Sequence, residues 1–370
     1  MHAPIAIYCS SRAAGGLELN VVRMAVWLQA AGYPVQMIAS AGSEIARRSR
    51  EQEIPVALVE RRHSGAALLE LRRFLRAKKI HALFVHTSKD LRCAVLARAF
   101  SFSDTKLVFV QHMQLGVRKK DLIHSWFFRR LAAWIAPLPY MVRQVAQMTR
   151  FDKNRIYEIP FGAELAPLSE NKPCQTSARL RLGLPTEGVF AGVIGRFDPQ
   201  KNQALLLRAA APLIQLGLPL QLLLVGANTL DNQDDYEMEL HALAHELGIA
   251  HAVHFRPFQK DVRDAYAALD IFVLTSQAET YGMVTVEALA AGLPVVATRS
   301  GGTPELVRDK HDGLLFEPDS AEDLQNALRL LLDFPELRRR FGAAGALDAA
   351  ERFSHREYVH KLGELISSLV

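Results

Sequence analysis

Short apolar runs alternate with longer amphipathic stretches along the whole chain. In the first half, runs typical of buried strands lie at Ile5–Cys9, Val35–Ala39, Ala82–His86, Leu107–Gln111 and Ile156–Ile159. Between them, the apolar spacing predicts helices at Leu17–Ala31, Ala66–Lys78, Asp90–Ala99 and Leu122–Trp134. Strands separated by helix-length segments predict a doubly wound parallel sheet.

The second half of the chain repeats this alternation. Strands are predicted at Val189–Gly195, Leu220–Val225, Val253–Phe255, Ile271–Leu274 and Val295–Ala297. Helices are predicted at Ala204–Leu216, Tyr236–Leu247, Val262–Ala268, Thr285–Ala291, Ala321–Leu332 and, as one amphipathic tail, Phe353–Leu369. A polar segment with prolines, Pro167–Pro173, is predicted to link the halves. The pattern therefore predicts an α/β protein with two parallel-sheet domains.

Size and composition agree with this organisation. A chain of 370 residues is long enough for two domains. The three cysteines, Cys9, Cys93 and Cys174, are widely spaced and odd in number, so they predict neither a disulfide framework nor a metal cluster. The first residues lack the pattern of a signal peptide, and no apolar run approaches the length of a membrane span. We therefore expect a cytoplasmic protein.

Charge is unevenly distributed along the chain. Residues 1–160 carry 25 lysines and arginines and 11 acidic residues, a net of +14, whereas residues 161–370 carry 19 and 28, a net of −9. A basic half is expected to meet something anionic, such as a membrane surface or nucleic acid. The segment Leu115–Trp134 combines basic and bulky apolar residues, which suits a membrane interface or a core-facing helix with a basic edge. Because no nucleic-acid module accompanies the charge, no nucleic-acid partner is expected.

One strand–loop–helix segment in the second half carries the clearest chemical signal. The strand Ile271–Leu274 leads into a polar loop with Glu279 and Gly282, and the next helix carries Glu287 in its first turns. Ligands bind parallel sheets at the loops beyond the carboxyl ends of the strands. Unpaired N–H groups around Gly282 and Met283 can hold an anion, and the two carboxylates can accept hydrogen bonds from ribose and sugar hydroxyls. These parts together suit a nucleotide sugar.

A second polar group follows the strand that ends at Gly195. Glycine permits a close backbone approach, and Arg196 and Lys201 place two cations beside the N-terminus of the next predicted helix. A departing diphosphate needs this combination, because its negative charge rises as it leaves a sugar. Alone, the two residues would be ordinary surface cations; with the two glutamates in the same half, they predict a phosphate site.

These motifs resemble the signature of the family 4 retaining glycosyltransferases. The resemblance rests on Glu279-x7-Glu287 with the following Ala-x-Ala-x-Gly-x-Pro-Val-Val-Ala, and on Gly-Arg-x4-Lys from Gly195 to Lys201. It implies the GT-B fold, in which two Rossmann-like domains face each other across a cleft. Residues 1–165, joined by the C-terminal helix 354–370, would form the acceptor-side domain, and residues 174–353 would form the donor domain.

The resemblance also implies roles for single residues. Arg196 and Lys201 would stabilise the donor diphosphate, Glu287 would hold the ribose, and Glu279 would contact the donor sugar. Further donor contacts are implied for Gly15, Gly16, Gly226, Tyr281, Gly282 and Met283. The base of the donor stays open, because the segment His254–Phe258 lacks the glycine that the family usually has there.

A histidine is expected among the catalytic residues. His112 directly follows the predicted strand Leu107–Gln111, and the resemblance implies that it contacts the transferred sugar or the acceptor. His86 ends another predicted strand and remains an alternative. The expected catalytic set is Glu279, His112, Arg196 and Lys201.

The function implied by the resemblance is retaining sugar transfer from a nucleotide-diphosphate sugar to a hydroxyl of a glycan or glycolipid, in the synthesis of cell-envelope glycolipid, lipopolysaccharide or polysaccharide. No metal or other cofactor is expected, because cations and helix N-termini neutralise the diphosphate and no metal-ligand spacing is present. A nucleotide-sugar epimerase or hydrolase, and a non-catalytic module that binds nucleotide sugar or membrane, remain alternatives. Peripheral attachment to the inner face of the membrane also remains open.

Overall fold

The computed structural model describes residues 2–13, 15–59, 65–165, 168, 172–228, 235–259 and 261–369. The chain divides into two compact units, one formed by Met1–Gly162 with His355–Val370 and the other by Ala163–Ser354. Each unit is built around its own parallel sheet.

The first unit contains strands β1 (Ile5–Cys9), β2 (Val35–Ser40), β3 (Val56–Val59), β4 (Ala82–Val85), β5 (Lys106–Val110), β6 (Ala133–Ala136) and β7 (Ile156–Glu158). Its helices before the second unit are α1 (Gly16–Ala30), α2 (Glu44–Glu51), α3 (Gly65–Ala77), α4 (Ser88–Ser101), α5 (Leu122–Phe128) and α6 (Pro139–Met148). The order in the sheet is β3-β2-β1-β4-β5-β6-β7, with every pairing parallel. The strand order therefore reverses between β1 and β4, where α/β sheets commonly bind ligands.

The second unit contains strands β8 (Val189–Ile194), β9 (Leu220–Gly226), β10 (Val253–Pro257), β11 (Ile271–Leu274), β12 (Val295–Thr298) and β13 (Gly313–Phe316). Its helices are α7 (Gln175–Arg181), α8 (Gln203–Gln215), α9 (Tyr236–Glu246), α10 (Arg263–Ala268), α11 (Met283–Ala290), α12 (Thr303–Leu306), α13 (Ala321–Asp333) and α14 (Pro335–Phe353). The sheet order is β10-β9-β8-β11-β12-β13, all parallel. Here the order reverses between β8 and β11.

The predicted strands are confirmed, and the structure adds β3, β6 and β13. One predicted helix is wrong in its extent: Leu122–Trp134 was expected to be continuous, but α5 ends at Phe128 and Trp134 lies in β6. Burial explains the difference. The Trp134 ring packs edge-on against Phe109, its Nε1–H donates to Gln111 Oε1 at 2.9 Å, and its backbone pairs with β5.

The C-terminal segment forms helix α15 (His355–Ser368), which belongs to the first unit. The predicted tail helix is confirmed over this range, although Phe353 ends α14 and Ser354 is extended between the two helices. Tyr358 of α15 packs edge-on against Trp27 of α1. The predicted linker Pro167–Pro173 falls largely outside the described residues. Among the helices of the described ranges, none is both long and apolar enough to cross a membrane.

Candidate active site

The segment that carries the two glutamates folds as the β11–loop–α11–β12 unit expected from its sequence. Gly282 is the N-cap of α11, and no side chain caps the helix there. The first N–H groups of a helix have no partner within the helix, so this N-terminus can receive an anion. Met283 is the first residue of the helix, and Glu287 lies one turn along it.

Glu279 and Lys201 form an ion pair in the second unit. Lys201 ends a 3-10 turn after β8, and its Nζ donates to Glu279 Oε2 at 2.5 Å. Thr275, directly after β11, donates from Oγ1 to the Lys201 carbonyl at 2.7 Å. The ion pair and this hydrogen bond therefore connect the loops that follow β8 and β11, where the strand order reverses. The side chains of Lys201 and Glu279 are 28% and 16% exposed, so both remain within reach of a ligand.

The loop after β12 fixes the backbone of Glu279. The Gly302 N–H donates to the Glu279 carbonyl at 2.8 Å. Gly301 has φ +59°, and a Cβ at that position would lie 2.2 Å from the same carbonyl oxygen. Only glycine therefore allows this close approach.

Arg196 lies in a loop held against the end of β9. Its side chain is exposed, and no ion-pair partner of its guanidinium is found in the described part of the chain. Gly195 donates to the Val225 carbonyl at 2.9 Å, and a Cβ on Gly226 would lie 1.9 Å from the Gly195 carbonyl oxygen. Gly226, expected among the donor contacts, has a structural role: it lets the Arg196 loop cross the strand end.

Glu287 is held by a residue that sequence reasoning missed. Tyr266 of α10 is fully buried, and its hydroxyl lies 3.0 Å from Glu287 Oε2 and 3.1 Å from the Val284 carbonyl oxygen. The single hydroxyl hydrogen can donate to either acceptor, so Tyr266 positions one carboxylate oxygen at the start of α11. A buried tyrosine needs a partner for its hydroxyl, and that requirement was the available sequence signal.

Tyr281, expected among the donor contacts, has a buried side chain. Its ring lies edge-on to Phe353, with 6.5 Å between the centroids. Tyr281 can therefore present its backbone, rather than its ring, to a ligand in this conformation.

In the first unit, Gly15 is the N-cap of α1 and Gly16 is its first residue, but the Gly15 N–H already has a hydrogen-bond acceptor. It donates to Glu18 Oε2 at 2.9 Å, and Ser11 Oγ donates to the other oxygen of the same carboxylate. Glu18 is buried and three residues after the N-cap, the spacing of a capping box. A phosphate could bind the Gly15 N–H only by displacing Glu18.

The two competing histidines are partners of each other. His86 Nδ1 lies 2.8 Å from His112 Nε2, and the His112 ring stacks on Phe161. Burial lowers the pKa of His112 to about 3, and burial together with His112 holds the pKa of His86 well below its usual value. Both imidazoles are therefore neutral at pH 7, and one nitrogen of the pair donates to the other.

A pocket of about 340 Å³ opens beside this pair, within the first unit. It lies at the carboxyl ends of β1, β4 and β5, and its lining includes His86, His112, Ser10, Thr87 and two lysines. Within the described ranges, no three His, Cys, Asp or Glu residues are grouped as metal ligands.

Two family models match the chain. The model for glycosyl transferases group 1 matches residues 175–348, and the model for glycosyltransferase family 4 matches residues 14–166. Similar curated proteins include the D-inositol 3-phosphate glycosyltransferases of Stackebrandtia nassauensis (37% identity over 217 residues, 57% of this chain) and Streptomyces bingchenggensis (36% over 185 residues, 48% of this chain). The chain spans 48% and 40% of the length of these two relatives.

Solved structures share the fold over the whole chain. Anabaena HepE in complex with UDP has a TM-score of 0.88 at 23% identity and covers 99% of this chain and 100% of its own. A glycosyltransferase from Rickettsia africae has a TM-score of 0.88 at 15% identity, with 100% and 98% covered. The family matches follow one another along nearly the whole chain, and both sheets agree with the fold of these neighbours. The chain therefore belongs to the group 1 glycosyltransferases of family 4 and has the GT-B fold.

Proposed function

We propose that the protein is a retaining glycosyltransferase that uses a nucleotide-diphosphate sugar as donor. The observation that carries the proposal is the contact between Lys201 and Glu279 where the second sheet reverses its strand order. One loop cluster thus offers a cation for a phosphate and a carboxylate for a sugar. Relatives named glycosyltransferases, and the crystallisation of HepE with UDP and with UDP-glucose, support this donor class.

In the proposed reaction, the bond between the anomeric carbon and the diphosphate oxygen breaks, and a bond from the acceptor oxygen to that carbon forms. Arg196, Lys201 and the N-terminus of α11 stabilise the negative charge on the leaving diphosphate. The departing phosphate oxygen takes the proton of the acceptor hydroxyl. Because these groups already neutralise the charge, we propose that no divalent cation is required.

The glutamates and the histidine pair position the reactants in this proposal. Glu287, oriented by Tyr266, accepts hydrogen bonds from the ribose diol, and Glu279 accepts them from the donor sugar. His112 contacts the transferred sugar or the acceptor. As a neutral imidazole it can donate from one nitrogen and accept at the other, so it can orient a hydroxyl group without adding charge.

Product analysis separates this proposal from an epimerase or a hydrolase. Incubation with a panel of nucleotide-diphosphate sugars and a mixture of glycan and glycolipid acceptors is expected to release nucleoside diphosphate and a glycosylated acceptor in equal amounts. Free sugar in place of the glycosylated acceptor would identify a hydrolase, and an altered nucleotide sugar would identify an epimerase. Nucleotide binding with no reaction in any combination would favour the non-catalytic module.

We further propose that the protein acts on cell-envelope acceptors while attached to an anionic membrane surface. The basic-apolar patch that supports this is the segment Met113–Arg130. Its exposed apolar side chains are Met113, Val117, Leu122, Ile123 and Trp126, with Leu122 80% exposed, and its basic residues are Arg118, Lys119, Lys120, Arg129 and Arg130. Phe128, which the sequence grouped with these residues, is buried instead. The Arg130 guanidinium lies 3.4 Å from the centroid of the Trp126 ring, so cation and aromatic ring are held together.

Vesicle co-sedimentation tests this attachment. Binding is expected to require anionic lipid and to weaken with salt, because each basic residue near such a surface contributes roughly 1 kcal/mol and salt screens it. The double substitution Leu122→Ser with Ile123→Ser should reduce binding about tenfold or more, since both side chains would enter the lipid interface. Leu347→Ser is the matched control, because Leu347 is 70% exposed in the second unit. Equal recovery with neutral and anionic vesicles would refute the proposal.

A further inference from the structure

Asp319 contacts the two loops that carry Lys201 and Glu279. It lies in the second unit, in the loop between β13 and α13. Its Oδ1 accepts a hydrogen bond from Asn202 Nδ2 at 2.9 Å and a second one from Gln277 Nε2 at 3.2 Å. Asn202 directly follows Lys201 in the chain. Gln277 lies two residues before Glu279. One carboxylate oxygen therefore connects both loops of the candidate donor site to a third loop.

The backbone is left-handed at both ends of the first of these hydrogen bonds. Asp319 has φ +59° and Asn202 has φ +51°. Aspartate and asparagine adopt this conformation more readily than other residues that have a Cβ. At Asn202 it ends the 3-10 turn Pro199–Lys201 and begins helix α8. The conformation of Asn202 therefore determines where the turn presents the Lys201 side chain.

Gln277 is fixed by its backbone as well as by its side chain. Its N–H donates to the Gln200 carbonyl at 3.1 Å, and its carbonyl accepts from Ser300 Oγ at 2.6 Å. Gln200 belongs to the 3-10 turn after β8, and Ser300 lies in the loop after β12. The strands β8, β11, β12 and β13 are neighbours in the sheet. The loops at their carboxyl ends are thus joined through Gln277 and Asp319.

The contacts of Asp319 differ from the Lys201–Glu279 ion pair in what donor binding does to them. The Lys201 ammonium donates to Glu279 Oε2, and the same ammonium binds the diphosphate in the proposed reaction. Donor binding is therefore expected to weaken this ion pair. Asp319 instead holds the side-chain amides of Asn202 and Gln277, and neither amide has a role in the proposed reaction. These two hydrogen bonds can persist when the ion pair opens.

We propose that Asp319 is a positioning residue of the donor site, which holds the Lys201 loop and the Glu279 loop in place while the donor binds. This inference rests on the proposed function, because it is an effect on the donor site of that function. Asp319 acts through Asn202 and Gln277 and not through a contact with substrate. Its negative charge is not required, since an amide oxygen at the same position can accept the same two hydrogen bonds.

Two substitutions at Asp319 separate positioning from charge. Asp319→Asn keeps an oxygen acceptor and tolerates the left-handed backbone, whereas Asp319→Gly tolerates the backbone and removes the acceptor. Both remove the negative charge, so a purely electrostatic effect on a diphosphate would be the same in the two variants. Calorimetric titration uses UDP, GDP and ADP. Affinity is expected to stay within about twofold of the native value in Asp319→Asn and to fall about three- to tenfold in Asp319→Gly.

Hydrogen exchange of the free protein reports on the same loops without a ligand. The backbone N–H groups of Lys201, Asn202 and Gln277 all donate to carbonyl oxygens of the turn after β8 or of the residue before it. These amides should exchange about three- to tenfold faster in Asp319→Gly than in Asp319→Asn, while the amides of the strands stay equally protected.

Lys310→Gly is the matched control for the glycine substitution. Lys310 is exposed and has a left-handed backbone, with φ +62°, but it lies before the amino end of β13. Glycine there loosens an exposed loop of the same unit without touching the loops of the donor site. It should change neither their hydrogen exchange nor the nucleotide affinity by more than about twofold.

The two measurements fail in different ways. Equal affinities of Asp319→Gly and Asp319→Asn would overturn the proposal, and so would an equal loss with Lys310→Gly. Faster exchange in Asp319→Gly with unchanged affinity would also overturn it, because the loops would then move without effect on the donor site. If no nucleotide binds even the native protein, the proposed function fails, and hydrogen exchange alone decides whether Asp319 holds the loops.

Discussion

Alanine at Lys201 or Glu287 is expected to weaken binding of the donor nucleoside diphosphate by roughly 10- to 150-fold while the protein stays folded. Each substitution removes a charge-assisted hydrogen bond to the ligand, which contributes about 1.5–3 kcal/mol. Both side chains are partly exposed, so neither change leaves a cavity in the core. Calorimetric titration gives the affinities, and circular dichroism melting checks the fold. Unchanged affinity in both variants would contradict the donor-site assignment.

Matched substitutions separate the site from general charge effects. Arg208→Ala and Glu246→Ala remove one charge each from exposed positions of α8 and α9, and they should leave nucleotide affinity unchanged. Glu279→Gln is not expected to weaken the binding of nucleoside diphosphate, in contrast to Lys201→Ala. It removes the carboxylate that holds the Lys201 ammonium at 2.5 Å, so nucleoside diphosphate should bind as tightly as before or more tightly, while sugar transfer falls. Weaker diphosphate binding in Glu279→Gln would mean that the ion pair supports the site and does not compete with the ligand.

Gly301→Ala is expected to destabilise the second unit and to abolish donor binding. The added Cβ would stand 2.2 Å from the Glu279 carbonyl oxygen, so the loop with Glu279 must move. A left-handed backbone costs a residue with a Cβ roughly 1–2 kcal/mol, and overpacking adds about 1–3 kcal/mol. Thermal melting and nucleotide titration measure the two effects.

Gly217→Ala is the matched control for this loop. Gly217 has φ +78°, but no atom lies within 4 Å of the position of an added Cβ. Alanine there therefore costs only the free energy of a left-handed backbone and causes no clash. It should lower stability by about 1–2 kcal/mol and leave donor binding intact. If the two variants behaved alike, the close approach of Gly301 to Glu279 would have no part in forming the site.

Sequence patterns predicted the long elements and failed where burial decides between a helix and a strand. The strands that flank the strand-order reversals were predicted because they are continuous apolar runs. β3 and β13 were not predicted, although each is as long as β4 and β11; both lie at the edge of a sheet and pair on one side only. The first two residues of β6 were predicted as the end of a helix, because Ala133–Ala136 has no alternation; pairing with β5 and β7 makes the segment a strand.

The sequence predicted which residues belong to the candidate site, but it did not predict which of their side chains contact one another. The sequence placed Lys201 and Glu279 in loops that each follow a predicted strand, but their ion pair depends on the neighbouring positions of β8 and β11 in the sheet. The contact of Tyr266 was not predicted, because its partner, Glu287, is 21 positions away and the two meet only when α10 and α11 pack. The sequence analysis favoured His112 over His86 and did not predict that the two side chains are hydrogen-bonded to each other.

The central claim is sugar transfer with retained anomeric configuration and without a metal ion. Its most direct test is proton NMR of the reaction product, formed from an α-linked nucleotide-diphosphate sugar with excess chelator present. The account predicts an initial product with the α configuration, formed at a rate that added magnesium or manganese does not raise. An initial β product, or a rate that vanishes in chelator and returns with the metal, would contradict it.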